Sequence, residues 1–575
     1  MHWKIQVAAI VAVGWLMGCG GGSGDGKPAP TELSGVLHSK IQGVNFRTAT
    51  RSGKTDADGK FKYLPGESIT FSVGGIELGS AAGASNISLF TLAGMTPPTT
   101  ELGLRRELDR MRYTATPLAN AANRAWLLLA LDGDGNPENG IDVSSHEAAL
   151  ADARLDFDVQ PYQFAGTVTG LTPGLNNNIA PSFPIKWLYR SLGVRMAGNV
   201  PIGATTDEHN DGVIDSRGWN TVDAMGDTTA TMIDQDGDGQ PDVTTSYTRD
   251  SLGRITRQRM IRDFDLDRQP DSDHTVVTTY DVHGNSVRVV DQVDADANGS
   301  IDSEAVAVIT HDAYGRELES THTFDNNYDG AADILEVDTY TRDAHGNLLR
   351  VVIEVDEQAD GDVDSRYVSD YTWDTSNRQL TSAQTRDTDG DGHPDSAWRS
   401  LATYATSGTR QTYDDDYDSD GDGVYEQKSR SRYGYDSVGN ATSSVTDYED
   451  SWSTYRGSGE FSYDHDRRPL SVVYSYDAGI DGTVDSVVRQ SYAYDPNGFT
   501  LSWEYLSESV SHAGLGSWVD SSSYTYSASG AETSSISGTD FDSDGVAELS
   551  RRTTIEYAAS NDAMAQIVDQ YLANM

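Results

Sequence analysis

Cysteine is nearly missing from this sequence. The single residue, Cys19, excludes an intramolecular disulfide framework. Basic residues are scarce as well: 42 Lys+Arg stand against 89 Asp+Glu, a formal charge of −47. Such an imbalance repels nucleic acid, which is excluded as a partner. It also pushes a compact chain apart unless cations neutralise it, so the placement of the acids matters more than their number. Beyond the first twenty residues no apolar run is long enough to span a bilayer as a helix. The HExxH, GxSxG, P-loop and GxGxxG motifs are missing, and the 12 histidines scatter over turns, as at His283, His345 and His393. No enzymatic activity is expected. With 575 residues and 37% hydrophobic content, two to four domains with many small cores are expected rather than one large core.

The N-terminus accounts for the cysteine. Lys4 supplies a positive start, and Ile5 to Leu16 form an apolar stretch too short for a comfortable span. Leu16-Met17-Gly18-Cys19 follows, and then the tether Gly20-Gly21-Gly22-Ser23-Gly24. Small residues before a lone cysteine resemble the lipobox of bacterial lipoproteins; an ordinary signal peptide containing a cysteine is the alternative. The resemblance implies a signal peptide over 1–18, lipidation of Cys19 and a membrane attachment through that lipid. Because Gly20 rather than Asp follows the cysteine, it also implies an outer-membrane or cell-surface location. Residues 19–33 read as the flexible tether.

Residues 34–95 alternate as short strands separated by Gly and Asp turns, with Phe61-Lys62-Tyr63 and Ile69-Thr70-Phe71 as examples. They resemble the small β-sandwiches of the carboxypeptidase-regulatory or collagen-adhesin B type, which implies a spacer or stalk. Residues 96–205 change character. Leu102 to Arg112 and Leu118 to Leu131 carry helical periodicity, and 155–205, rich in Pro, Gly and Asn, reads as a connector. Asp132-Gly133-Asp134-Gly135-Asn136-Pro137-Glu138 reads equally as a lone calcium loop or as a polar turn that ends a helix.

From residue 206 to 557 the chain is periodic. A DxDxDGxxD-like loop begins at Asp207, Asp234, Asp263, Asp294, Asp325, Asp356, Asp387, Asp418, Asp477 and Asp540, and from Asp263 to Asp418 every step is 31 residues. Two further loops near Asp447 and Glu508 have lost most of their acids. Half a period after each loop stands a second landmark, as in Tyr280-Asp281-Val282-His283-Gly284-Asn285 and His311-Asp312-Ala313-Tyr314-Gly315-Arg316. In it Asp opens a tight turn and Gly takes the positive-φ position. The segments between are rich in Thr, Val, Tyr and Ser and read as strands. Tyr280, Tyr404, Tyr435 and Tyr494 recur at one repeat position, as cross-strand ladder residues do.

The YDxxGN and HDAYGR turns resemble the YD repeats of Rhs proteins and teneurins, which wind a β-ribbon into a hollow shell. This sequence inserts an acidic loop into every unit, and after the repeats a helix over 558–575 is expected rather than a toxin. The fold class expected is therefore mainly β: a small sandwich, a short helical segment and a long antiparallel hairpin array. That array is expected as a meander, superhelical or shell-like sheet, open in preference to closed, with a β-propeller as the alternative.

Acids at positions 1, 3 and 5 of a tight loop converge on one point, and calcium takes six to eight such oxygens. The loops resemble the DxDxDG loops of thrombospondin type 3 repeats and EF-hands. They lack the bidentate Glu at position 12, where Thr245, His274, Tyr367 and Trp398 stand, so the acid at position 9 is its expected replacement. The candidate ligands are Asp207, Asp211 and Asp215; Asp234, Asp236, Asp238 and Asp242; Asp263, Asp265, Asp267 and Asp271; and Asp294, Asp296, Asn298 and Asp302. They continue with Asp325, Asn327, Asp329 and Asp333; Asp356, Asp360 and Asp364; Asp387, Asp389, Asp391 and Asp395; and Asp418, Asp420, Asp422 and Glu426. Asp477, Asp481 and Asp485, with Asp540, Asp542, Asp544 and Glu548, complete the set. Loops with His209 or Gly479 at position 3, or Arg268 at position 6, depart from the pattern. An Asp-Gly hairpin turn needs one or two acids; four within nine residues repel one another unless a cation sits between them. Ten calcium ions would bring the charge of −47 to about −27. The expected role is that of a calcium-binding surface protein, structural or adhesive. A carbohydrate- or protein-binding module with a glycan or protein partner, or an Rhs-like shell, is the alternative.

Overall fold

The computed structural model describes residues 31–38, 40–176, 178–223, 226–510 and 517–572. Cys19, the signal segment and most of the tether lie outside these residues.

Two small sheets open the described chain. Leu33–Leu37 pairs with Lys60–Tyr63 and Asn86–Ile87, and a second sheet runs Ser52–Lys54, Asn45–Arg47, Ser68–Val73, Ile76–Ala82. Alternation buries Ile69, Phe71 and Val73 on one face of Ser68–Val73, and Phe61 meets Phe71 edge-on at 5.1 Å. The helices Glu101–Met111 and Pro117–Ala130 are each capped by a threonine, Thr100 and Thr116, whose hydroxyl accepts an amide of the first turn. The stretch expected to be a connector contains two more helices, Pro161–Val168 and Phe183–Ser191. Proline falls in the first turn of each, where its missing N–H costs nothing, so it starts these helices instead of breaking them. Their Phe164, Trp187 and Tyr189 are buried.

The repeat region is a closed barrel of 24 antiparallel strands, each paired with its sequence neighbours, from Gly198–Asp207 to Leu549–Ser560. The expectation of an open, superhelical or propeller sheet is thereby corrected. The first and last strands pair with one another, Gly198 opposite Ser560 and Asp207 opposite Arg552. A register shift sits beside each YD turn, for example between Thr279 and Tyr280, and bulges of this kind add the local twist and bend that closure requires. Barrels of 16–18 strands already leave an aqueous channel, so 24 strands enclose a lumen.

Many small cores were expected; among the described residues there is one continuous apolar cluster, and it lies almost wholly outside the wall. The continuous apolar cluster runs from Leu37 to Val200 and from Ala563 to Leu572, and the remainder of the barrel adds only Leu252 to it. Wall residues instead alternate between half-buried and exposed. Mid-strand Arg366, Asp370, Arg399, Arg432, Glu460 and Arg489 are exposed, whereas Ser320, Asp338, Ser382, Ser400 and Ser431, on the other face, are buried. Curvature crowds side chains on the concave side, so the buried set faces the lumen.

Strands meet at YD turns on one rim and at acidic loops on the other. Where the YD turn carries its aspartate, that residue accepts amides of the turn two and four residues on, as Asp281 does from His283 and Asn285, both at 2.9 Å. The recurring tyrosines reach back across the wall: the hydroxyls of Tyr280, Tyr404 and Tyr494 donate to the carbonyls of Ile255, Gln379 and Pro469 at 2.7–3.0 Å. The N-terminal unit sits on this rim. Gly174 N donates to Ala313 O (3.1 Å), Asn178 to Gly284 O (3.2 Å), Arg110 to Asp466 (3.4 Å) and Asn199 to Ser529 (3.4 Å). Buried Arg105 ties the closing seam together, bonding Glu101, the carbonyl of Asn199 and Gln570 of the helix Met564–Leu572.

Asp132, just after the helix Pro117–Ala130, accepts the amide of Asp142 at 3.0 Å through Oδ1, while its Oδ2 is buried without a hydrogen-bond partner. Burial, aided by the neighbouring Asp134 and Asp142, pushes its pKa up to about 6. A carboxyl whose folded pKa is raised binds more protons folded than unfolded, so stability falls as pH rises from about 4 to 6. In chelator at pH 7, Asp132→Asn should therefore raise the Tm of the N-terminal unit, with the gain shrinking as pH falls through this window. Melting curves of both proteins between pH 4 and 7 test it.

Candidate metal centres in the rim loops

The ten acidic loops share one hydrogen-bonded frame. The carboxylate at position 1 accepts the amide of position 6, and the acid at position 9 accepts the amide of position 2. In the first loop these bonds are Asp207 to Gly212 N (2.7 Å) and Asp215 to Glu208 N (2.6 Å). In the last they are Asp540 to Gly545 N (2.8 Å) and Glu548 to Phe541 N (2.6 Å). Between them the same pairs form from Asp234/Asp242, Asp263/Asp271, Asp294/Asp302 and Asp325/Asp333. Asp356/Asp364, Asp387/Asp395, Asp418/Glu426 and Asp477/Asp485 repeat them again. The acids at positions 3 and 5 hold the next turn: Asp236 accepts from Asp238 N (3.0 Å) and Asp238 from Gln240 N (2.8 Å).

This frame demands left-handed backbone at two positions. Position 6 has φ of +85° to +100° where glycine occupies it, and Arg268 adopts +74°. Position 4 is also left-handed in every loop, and there the sequence offers Leu266, Ala297, Tyr328, Ala359 and Ile480 as well as glycine. A non-glycine residue in this region is strained, a β-branched one most of all. The loops thus hold an unfavourable backbone in place so that their oxygens face inward.

Several loops bring their acids together. One oxygen from each of Asp418, Asp420, Asp422 and Glu426 lies within 4.8 Å of the others, and the same holds for Asp540, Asp542, Asp544 and Glu548. Asp234, Asp236 and Asp242 converge, as do Asp263, Asp265 and Asp271. In both four-acid loops the ninth residue is part of the cluster, the place expected for the ligand that replaces position 12. Asp387 Oδ1 is enclosed with no hydrogen-bond partner. Burial opposes the ionisation of Asp207, Asp356 and Asp540, but the loop amides outweigh it and hold each pKa below the usual aspartate value. These acids are charged at neutral pH, and the stability their bonds confer is lost only as pH falls below that range.

Two features depart from the expected pattern. Arg268 does more than replace a glycine: its guanidinium crosses to the preceding loop and binds Asp238 Oδ2 at 2.6 Å, supplying that loop with a built-in positive charge. Sequence spacing gave no sign of it, because the two residues are 30 apart and meet only when neighbouring loops stack. Near Asp447 there is no degenerate acidic loop. Asp447 lies inside the strand Ala441–Glu449, paired with Arg456 at 2.6 Å, and a short turn at Asp450 joins it to the next strand. The counterpart beyond Glu508 falls on residues 511–516, outside those described.

No protein-family model and no curated protein matches this sequence. Among solved structures the chain is similar to TcdB2-TccC3, with 14% identity and a TM-score of 0.27 over 63% of this chain and 19% of that one. It is similar to the Photorhabdus luminescens Tc holotoxin pore, with 12% identity and a TM-score of 0.20 over 58% and 22%. A porin-like protein from Bacteroides uniformis gives 9% identity and a TM-score of 0.19 over 53% and 97%. The chain spans about a fifth of the length of the two toxin chains.

Proposed function

We propose that this protein is a calcium-stabilised hollow β-shell, held at the outer membrane or cell surface by a lipid on Cys19, with a structural or adhesive role. The observation that carries this reading is the convergence of four carboxylates in the Asp418 and Asp540 loops. Their donors are all hard oxygens in a loop of irregular geometry, which suits calcium better than magnesium, since the latter demands a strict octahedron. The unpartnered Asp387 Oδ1 favours a cation in that loop also. With almost no apolar core among the described wall residues, neutralising one charged rim is a direct way to hold 24 strands in register. The exposed wall charges favour a tethered shell over a lipid-facing barrel, since an arginine facing the bilayer midplane costs about 2–4 kcal/mol.

A second reading is a shell that encloses a polypeptide, as the Rhs resemblance implies. Barrel closure and the unit seated on the YD rim favour it. A co-purifying polypeptide protected from protease until the shell is opened would support that reading; an empty shell would oppose it.

Calcium at millimolar concentration should raise the Tm of the full chain and its resistance to protease, and chelator should reverse both. A Tm indifferent to either would defeat the proposal. Asp418→Asn should shrink the calcium-dependent shift without abolishing it, because the loops act as a sum over neighbouring repeats. Ile480→Gly should stabilise the chain by about 1 kcal/mol in chelator by relieving left-handed strain, as read from denaturant midpoints.

A further inference from the structure

On the lumen face, three residues into the strands from the Asp325 loop, His322, Glu336 and Asp338 come together, with one donor atom of each within 4.8 Å of the others. Register produces this meeting. His322 stands opposite Glu336, and Ser320 opposite Asp338, across the strands Glu317–Asp325 and Ile334–Arg342. With a period of two, all four side chains share one face. Asp338 is only 8% exposed. Its Oδ2 accepts from Ser320 Oγ (3.2 Å) and from the Tyr340 hydroxyl (3.4 Å), and His322 Nε2 lies 3.8 Å away. Its Oδ1 is enclosed and has no hydrogen-bond partner. A buried carboxylate oxygen left without a donor is costly, and buried charges are ordinarily paired or bound to metal.

The repeat itself does not call for an acid here. One period earlier the position is Ala307, and one and two periods later it is Ser369 and Ser400. At the His322 position the neighbouring units carry Asp291 and Ile353. The trio is therefore a local departure from the repeat, placed where burial makes an acid expensive.

We propose that His322, Glu336 and Asp338 form a binding site for one transition-metal dication of the zinc class on the inner wall of the barrel. One imidazole nitrogen with two carboxylates suits zinc and its neighbours, whereas calcium prefers oxygen alone. Two carboxylates balance the charge of one dication. The hydroxyls of Ser320 and Tyr340 donate to Asp338 Oδ2 and hold its carboxylate in place, in the manner of outer-shell partners that hold metal ligands. Three protein ligands leave a coordination position for water or for a group entering the lumen.

The test uses the full chain, stripped with chelator and returned to millimolar calcium so that the oxygen-only loops are occupied. Cobalt(II) replaces zinc as the probe, because its visible bands report nitrogen-containing, low-symmetry coordination. One equivalent of cobalt should produce the bands, and zinc should displace it. His322→Gln and Asp338→Asn should each weaken binding roughly tenfold or more. His283→Asn, in a YD turn, should leave it unchanged. Absence of the bands, or bands unaltered in His322→Gln, would overturn the proposal. Should Asp338→Asn fail to fold by circular dichroism, His322→Gln decides the matter, since that side chain is only half-buried and its loss leaves the wall intact.

Discussion

An open meander of 24 strands would present two edge strands, each with a row of unpaired amides and carbonyls. The ladder between Gly198–Asp207 and Leu549–Ser560 removes both edges. The wall depends on this closure more than most sheets do, because almost none of its residues belong to the apolar core. What holds it is the continuous hydrogen-bond ladder, cross-strand pairs such as stacked Tyr448 and Tyr455, and the two rims. The seam is reinforced where a weak barrel would open first: Arg105 joins a helix of the N-terminal unit, the first strand and the C-terminal helix in one buried cluster.

The two rims answer different physical demands. At the YD rim one aspartate in most turns bonds its own backbone, and the apolar N-terminal unit covers the turns around Leu252, Ala313 and Ser529. At the other rim three or four acids per loop are drawn inward by backbone amides and by left-handed residues that resist that conformation. Strain and charge are concentrated there together. Arg268 shows one protein-borne answer, a guanidinium placed against Asp238, while the Asp418 and Asp540 loops keep all their acids in one cluster.

The lumen face adds a third chemical environment. Its polar and aromatic lining, with Ser382 bonded to Ser400 at 2.7 Å and Tyr505 packed on Trp518 at 5.1 Å, is neither a sealed core nor a bare surface. In such a setting Asp338 is a buried acid whose hydrogen bonds are incomplete.

Much of this was legible in the residues alone. The 31-residue step, the Asp-Gly turns and the β-rich segments between them determined an antiparallel hairpin array with acids on one edge, because turn chemistry and period-two alternation are local properties. The hydrogen-bonded frame that the first and ninth loop acids build was not legible there, since spacing marked them only as expected ligands. Nor was closure, since it depends on small bends accumulated over 24 strands and on a pairing between residues some 350 positions apart, which only the tertiary structure decides. The helices at Pro161 and Phe183 were hidden because proline reads as a breaker until packing shows it at a first turn. The Arg268–Asp238 bridge and the His322–Glu336–Asp338 meeting were hidden because residues from different strands become neighbours only once register is fixed.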